Sequence, residues 1–267
     1  MADNSQQGGA VRSSHKHKKP IHCFDLPDSA FIPHQNHLLQ NLLNRNFPDI
    51  STLSEQQQIA LARLVPMLLC GEQSAMFVFH REAARLANKG EEECYKALMQ
   101  IEADEFVHEQ VLQKLQSLLP QPDDVDRIRK RSRLFYARID RQSTSLASHF
   151  WQISQLDASV CLILSALNKA IHQHPISEIF SAIMRDEARH VAIARQHAQF
   201  LASDQIQCTA PSIHNQLVEL LKTETASLHA LDIDANALFQ RITKLSITKP
   251  FITQLSTTKT YDREISP

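Results

Sequence analysis

Apolar positions recur at helical spacing in a few long runs, separated by short polar or proline-bearing breaks, and this pattern predicts an all-α protein. A short helix is expected over His37–Asn44. The first long helix starts near Ser54, whose side chain can cap the orphan amides of the first turn, and continues to Ala87, with Pro66 as a candidate kink. Asn88, Lys89 and Gly90 form a stop signal. A second long helix runs from about Glu91 to Leu119, with Glu92 and Glu93 favourable beside its amino end and Pro120 and Pro122 closing it. Ile128–Ile171 reads as one long helix or as two with a break that the pattern does not place. Pro175 opens another strong helix reaching Leu201, and two weaker ones follow over about Ile213–Leu231 and Ala235–Leu245. Four major helices with short links predict a bundle with additional terminal helices.

Composition agrees: 267 residues contain only four glycines, 43% apolar residues and 6% aromatics, which suits long helices better than a glycine-rich doubly wound sheet or a sandwich. The expected organisation is a polar, disordered arm over 1–22, one helical domain over 23–247 and a loose tail over 248–267. A formal net charge of −1 gives no global case for a nucleic-acid partner. The basic run Arg127, Arg129, Lys130, Arg131 and Arg133 adjoins Asp123, Asp124 and Asp126, and reads as a solvated helix start. The amino end does not read as a secretory signal. The longest apolar stretch, Val160–Leu167, is interrupted by Ser165 and is too short for a membrane span. Five widely spaced cysteines without a Cys-x-x-Cys pair suggest reduced thiols, a cytoplasmic setting and no thiolate metal site.

The candidate chemistry lies in two Glu-x-x-His segments, Glu105–His108 and Glu187–His190. A three-residue spacing puts carboxylate and imidazole on one side of a helix, about one turn apart, so each segment can address a cavity with both side chains. Each is preceded by an aspartate, Asp104 and Asp186. One such segment is weak evidence, since acids and histidines often meet on solvated faces; the duplication on separate major helices makes it strong. Glu72 precedes Glu105 by nearly the interval that separates Asp157 from Glu187, and both acids are followed by small and apolar residues, so the first helix pair reads as repeated by the second. An acid in such surroundings is costly to bury unless paired or metal-bound.

On these residues the chain resembles the ferritin-like di-iron carboxylate superfamily, and its oxygenase or oxidase branch most closely, over about Ser54–Ser203. The resemblance implies a Glu from each of two helices and Glu-x-x-His from each of two others. The implied metal ligands are Glu72, Glu105, His108, Asp157, Glu187 and His190. Asp157 departs from the pattern, standing where a Glu is common, and its shorter side chain implies an asymmetric centre. Asp104 and Asp186 resemble the family's aspartates that accept a hydrogen bond from the imidazole nitrogen turned away from the metal. Arg189 is a candidate to neutralise the acidic cluster. His197, seven residues after His190, is a candidate additional ligand; Glu102, one turn before Glu105, is a weaker one. Cys161 is expected to line the pocket, and Met76, Phe79, Val160 and Leu164 an apolar channel.

Four carboxylates and two imidazoles suit a pair of iron ions, with manganese as the substitute. The implied function is a di-iron oxidoreductase that uses dioxygen as co-substrate and an external electron donor to oxidise a small organic or apolar-tailed substrate. The implied partners are a reductase or electron-transfer protein and, as a candidate assembly, a homodimer. Iron oxidation or storage, and a non-catalytic metal bundle, are the alternatives.

Overall fold

Helix ends fall where local chemistry starts or stops the backbone ladder. Ser54 Oγ accepts from the Gln57 amide while the Gln57 side chain accepts from the Ser54 amide, a reciprocal cap that opens the helix Glu55–Ala87. The described residues of the computed structural model are 20, 21, 23, 24, 37–44, 47–87, 90, 92–143, 145–201 and 213–245. The arm and tail expected at 1–22 and 248–267 lie outside them, apart from Pro20 and Ile21. Among the described residues there is no strand. The helices are α1 (His37–Asn44), α2 (Glu55–Ala87), α3 (Glu92–Leu118), α4 (Val125–Gln142), α5 (Leu146–Ala170), α6 (Ser177–Leu201), α7 (Ile213–Lys222), α8 (Thr225–Ala230) and α9 (Ala235–Leu245).

The expected run 128–171 divides into α4 and α5. Ser145 caps α5, accepting from the Ser148 amide while the Ser148 hydroxyl is shared with the Ser145 amide, and hydroxyls placed this way compete with a continuous helix. The expected Ile213–Leu231 helix likewise divides, at Thr223 and Glu224. Pro66 is buried inside α2 without dividing it.

The helices α2 and α3 pack as one pair and α5 and α6 as another; α3 meets α6 across the middle, and α4 lies on α2. Buried apolar residues form two clusters. One holds Leu61, Val111, Ile163 and Ile183; the other holds Phe79, Ile101, Phe150 and Ala194. Following each helix from one cluster to the other gives its direction. α2 and α6 run one way, α3 and α5 the other, so α4 is a crossover that carries the chain back between α3 and α5. Between the two clusters, on all four helices, sits a layer of buried or half-buried acids and histidines.

The helices α7 and α9 cover α5, and α8 covers α2. They are pinned by Arg63 on α2, whose guanidinium reaches Asp124 at 2.6 Å and the buried Glu224 at 2.7 Å. The thiols do not all stay free as expected: Cys23 and Cys70 form a disulfide, beside which Gln73 accepts from the Cys23 amide and donates to the Ile21 carbonyl. The two were read as unpaired because a 47-residue separation gives no local sign of contact. The helices α2 and α5 are each long and apolar enough to cross a membrane, which the longest uninterrupted run did not suggest. Both carry an acid into the donor layer, and we read them as core helices of the bundle.

Candidate metal centre

Each Glu-x-x-His segment occupies the middle of its helix, where the backbone is already satisfied and the side chains are free to converge. His108 on α3 and His190 on α6 are fully buried, their rings 6.0 Å apart. Both turn Nδ1 inward and Nε2 outward.

The inward faces define two positions. His108 Nδ1 lies 3.2 Å from Glu72 Oε2, 3.6 Å from Glu105 Oε2 and 3.4 Å from Glu187 Oε1. His190 Nδ1 lies 3.3 Å from Glu105 Oε1 and 3.7 Å from Glu187 Oε2. Glu105 and Glu187 therefore each aim one oxygen at one histidine and the other oxygen at the second histidine. Two carboxylates arranged this way can bridge two cations. Glu72 stands at the His108 position; Asp157 groups with Glu187 and His190, their donor atoms lying within 4.8 Å of one another. Asp157 makes no ion pair with His190, consistent with a side chain one methylene shorter, and its Oδ2 is buried without a hydrogen-bond partner among the described residues.

The outward faces are crossed. His108 Nε2 is 3.2 Å from Asp186 Oδ2, and His190 Nε2 is 3.2 Å from Asp104 Oδ2. The aspartate preceding each Glu thus holds the histidine of the other helix. Arg189 closes the arrangement, 2.6 Å from Asp104 and 3.3 Å from Asp186, outside the donor layer.

Electrostatically the cluster is dominated by its buried acids. Burial raises the carboxyl of Glu72 well above its usual range, and the neighbouring Glu105 raises it further. At Glu105 burial also opposes ionisation, but hydrogen bonds from Glu72, His108 and His190 outweigh it and hold that carboxylate down. Asp157 is raised by burial, then by Glu187 and Glu105. Burial alone would lower both imidazoles; Asp186, Glu105 and Glu187 at His108, and Asp104, Glu105 and Glu187 at His190, raise them instead. The imidazolium protons and the proton shared between carboxyls are what a bound metal would displace. Four acceptor-only carboxylates and two imidazoles therefore fit a pair of divalent cations of the hard-to-intermediate class.

Other candidates fall elsewhere. His197 stacks on Phe150, centroids 5.3 Å apart, in the second apolar cluster and outside both donor groups. Its seven-residue offset from His190 moves it two turns up α6. Glu102 is buried, also outside the donor groups, with His80 Nδ1 3.3 Å from its Oε1. The Cys161 thiol is close to the Met184 carbonyl, at 3.7 Å, and does not line the cavity; burial pushes it up to about 12.

A half-open cavity opens onto the donors and is walled by α2, α4 and α5. Its lining includes Glu72, Glu105, Asp157 and Glu187 at one end and Asp140, His149 and Gln152 at the other, with Leu68, Ala75, Val78, Ile153, Leu156 and Val160 along the sides. Of the expected channel residues only Val160 lines it. Met76, Phe79 and Leu164 are fully buried in the core, because the cavity face of α2 follows 68, 71, 75 and 78, one step round the helix from 76 and 79. The sequence reading missed the contribution of α4, through Tyr136, Ile139 and Asp140. The amphipathic pattern of that helix marks a buried face but not what the face encloses. At the polar end Arg81 binds Asp140 at 2.6 Å and Glu82 at 3.1 Å, with His149 Nδ1 3.2 Å from Glu82. Compared with sequence profiles of protein families, with curated proteins and with solved structures, the chain finds no match in any of the three.

Proposed function

We propose that this protein is a di-iron oxidoreductase that uses dioxygen to oxidise a small, largely apolar organic substrate. The observation that carries this reading is the split aim of Glu105 and Glu187, each offering one oxygen to either histidine position, beside a cavity with mostly apolar walls. The one-crossover arrangement of the four donor helices is compatible with a ferritin-like fold. Glu72 and His108 would hold one ion, Asp157 and His190 the other, with Glu105 and Glu187 between them. Bound there, a ferrous pair supplies the electrons that activate dioxygen.

The chain's own groups account for the rest. Asp186 and Asp104 accept from the outward Nε2–H of each imidazole, which keeps Nδ1 aimed inward and raises its basicity. The half-exposed Arg189 balances the charge of the two aspartates without entering the donor layer. The apolar cavity walls exclude water from the metal end. Along α5 the lining runs from His149 to Val160, about 16 Å at the helical rise, which suits a molecule with an extended or ring-shaped apolar body. Such a wall serves organic binding better than the passage of hydrated iron, which favours the oxidoreductase over iron storage.

Single turnover tests the proposal. Protein reduced and iron-loaded without oxygen is given dioxygen together with a metabolite extract, and mass spectrometry follows metabolites that lose hydrogen or gain oxygen. The expected result is a discrete product in amount matching the protein. Oxygen consumption with ferric mineral as the sole product would sink the proposal in favour of iron handling, and failure to bind metal would leave a structural bundle.

A further inference from the structure

Tyr136 stands on α4, which carries none of the metal donors, and its ring spans the cavity to α2. There the hydroxyl meets Gly71, the residue before Glu72. A Cβ added at Gly71 would lie 2.7 Å from Tyr136 Oη and 3.3 Å from Cζ, so a side chain at this position would displace the ring. Glycine inside a helix costs roughly 0.5–1 kcal/mol relative to alanine. In the middle of a 33-residue helix with ordinary helical backbone, the close approach of Tyr136 is the physical reason for it.

Among the described residues the Tyr136 hydroxyl makes no hydrogen bond, whereas a phenol taken out of water ordinarily finds an acceptor. A ring that served only to fill space between α2 and α4 would do as well as phenylalanine, with no donor left over; Phe135 beside it already packs edge-on, centroids 4.9 Å apart. What Tyr136 is exposed to is the cavity. Burial raises its ionisation, and the carboxylates of Glu72, Asp157, Glu187 and Glu105 raise it further, so it stays a neutral O–H donor next to the metal end.

We propose that Tyr136 is the substrate-binding donor of this site and Gly71 the notch that admits it, for substrates that carry a hydrogen-bond-accepting oxygen on an otherwise apolar body. This deepens the oxidoreductase reading and rests on it for the word substrate. The hydroxyl holds the acceptor oxygen beside the donor layer, while the apolar remainder lies toward Ala75, Val78 and Ile153.

The test uses 1-hexanol, which has one accepting oxygen and a short apolar body, and xenon, which reports apolar space alone. Binding of both is measured on full-length protein, metal-free and iron-loaded under nitrogen, together with the metal count. Tyr136→Phe is expected to bind hexanol about five- to tenfold more weakly, the worth of one hydrogen bond, while xenon binding and metal count match the wild type. Gly71→Ala is expected to weaken hexanol as well, because its Cβ moves the ring. Equal hexanol affinity in the wild type and Tyr136→Phe overturns the assignment, and so does a wild-type protein that takes up no hexanol. A wild type that binds fewer than two metals would instead defeat the di-iron reading, and hexanol binding to the metal-free protein would still decide the role of Tyr136.

Discussion

At the scale of single residues, two buried acids one turn apart on α3 behave in opposite ways. Glu105 is held ionised by Glu72 and both histidines, whereas Glu102 has no hydrogen-bond partner at either oxygen among the described residues, and burial raises it to about 8. His80 Nδ1 is near its Oε1 but not placed to donate. The sign of the consequence follows from proton linkage. Between about pH 4.5 and pH 8 the folded protein keeps a proton on Glu102 that the unfolded chain has lost, so stability falls as pH rises through this window and levels off above it. Glu102→Gln removes this dependence. The variant is expected to match the wild type at pH 5 and to be more stable at pH 9 by on the order of 2 kcal/mol, read from denaturant unfolding at both pH values. Parallel pH profiles in the two proteins would show that Glu102 does not carry the effect. Spacing alone could not separate these two acids, since both lie on the inward face of α3; what divides them is which neighbours stand opposite. The crossing of Asp104 to His190 and of Asp186 to His108 was hidden for the same reason. The sequence placed each aspartate one residue before a ligand, but only the packing of α3 on α6 decides whose imidazole it meets. Gly71 and Tyr136 are 65 positions apart and carry no mutual signal.

At the scale of elements, the four donor helices were legible because amphipathic period, capping residues and proline stops agree along them. The break between α4 and α5 was not, because its cause is a serine-capped turn within an unbroken apolar pattern, and the crossover role of α4 depends on which cluster each end joins. The terminal helices were legible as helices, yet their docking was not. It rests on a charged junction: Arg63 bridges Asp124, which precedes α4, and Glu224, between α7 and α8. Arg131 adds a longer contact to Glu224 at 3.5 Å. Removing Arg63 leaves Glu224 buried beside that one distant cation. Arg63→Ala is expected to cost about 2 kcal/mol, below the usual range for breaking a buried pair because Arg63 is partly exposed and Arg131 remains. Amide exchange should quicken in α7, α8 and α9 more than in α3. Replacing both partners, Arg63→Met with Glu224→Met, should recover most of the loss. Unchanged exchange in the terminal helices of Arg63→Ala would mean that apolar contacts of α7 and α9 with α5 hold them unaided.

At the scale of the whole molecule, the donor layer lies between two apolar clusters and draws its six candidate ligands from four helices on both sides of the crossover. The folded protein without metal must bury four acids in this layer, at the cost of keeping Glu72 and Asp157 protonated, and the unfolded chain has no preformed site. Metal binding at this layer would therefore be linked to the folding of α2, α3, α5 and α6 together. Stripping the protein with a chelator is expected to lower its melting temperature, and adding ferrous or manganous ion without oxygen should restore it. At a free metal concentration a thousandfold above Kd the stabilisation is about 4 kcal/mol per ion. The loss should appear as faster amide exchange on the four donor helices, with α7, α8 and α9 changing less. Asp157→Ala makes the linkage specific: removing the terminal ligand of the His190 position should leave one ion bound through Glu72, His108, Glu105 and Glu187, and about half of the metal-dependent shift. Asp157→Glu should keep both ions, since the added methylene lengthens reach without changing charge. Identical melting of stripped and metal-loaded protein would refute the linkage. An Asp157→Ala variant that still binds two ions would remove Asp157 from the ligand set, leaving the His190 position to Glu105, Glu187 and the imidazole alone.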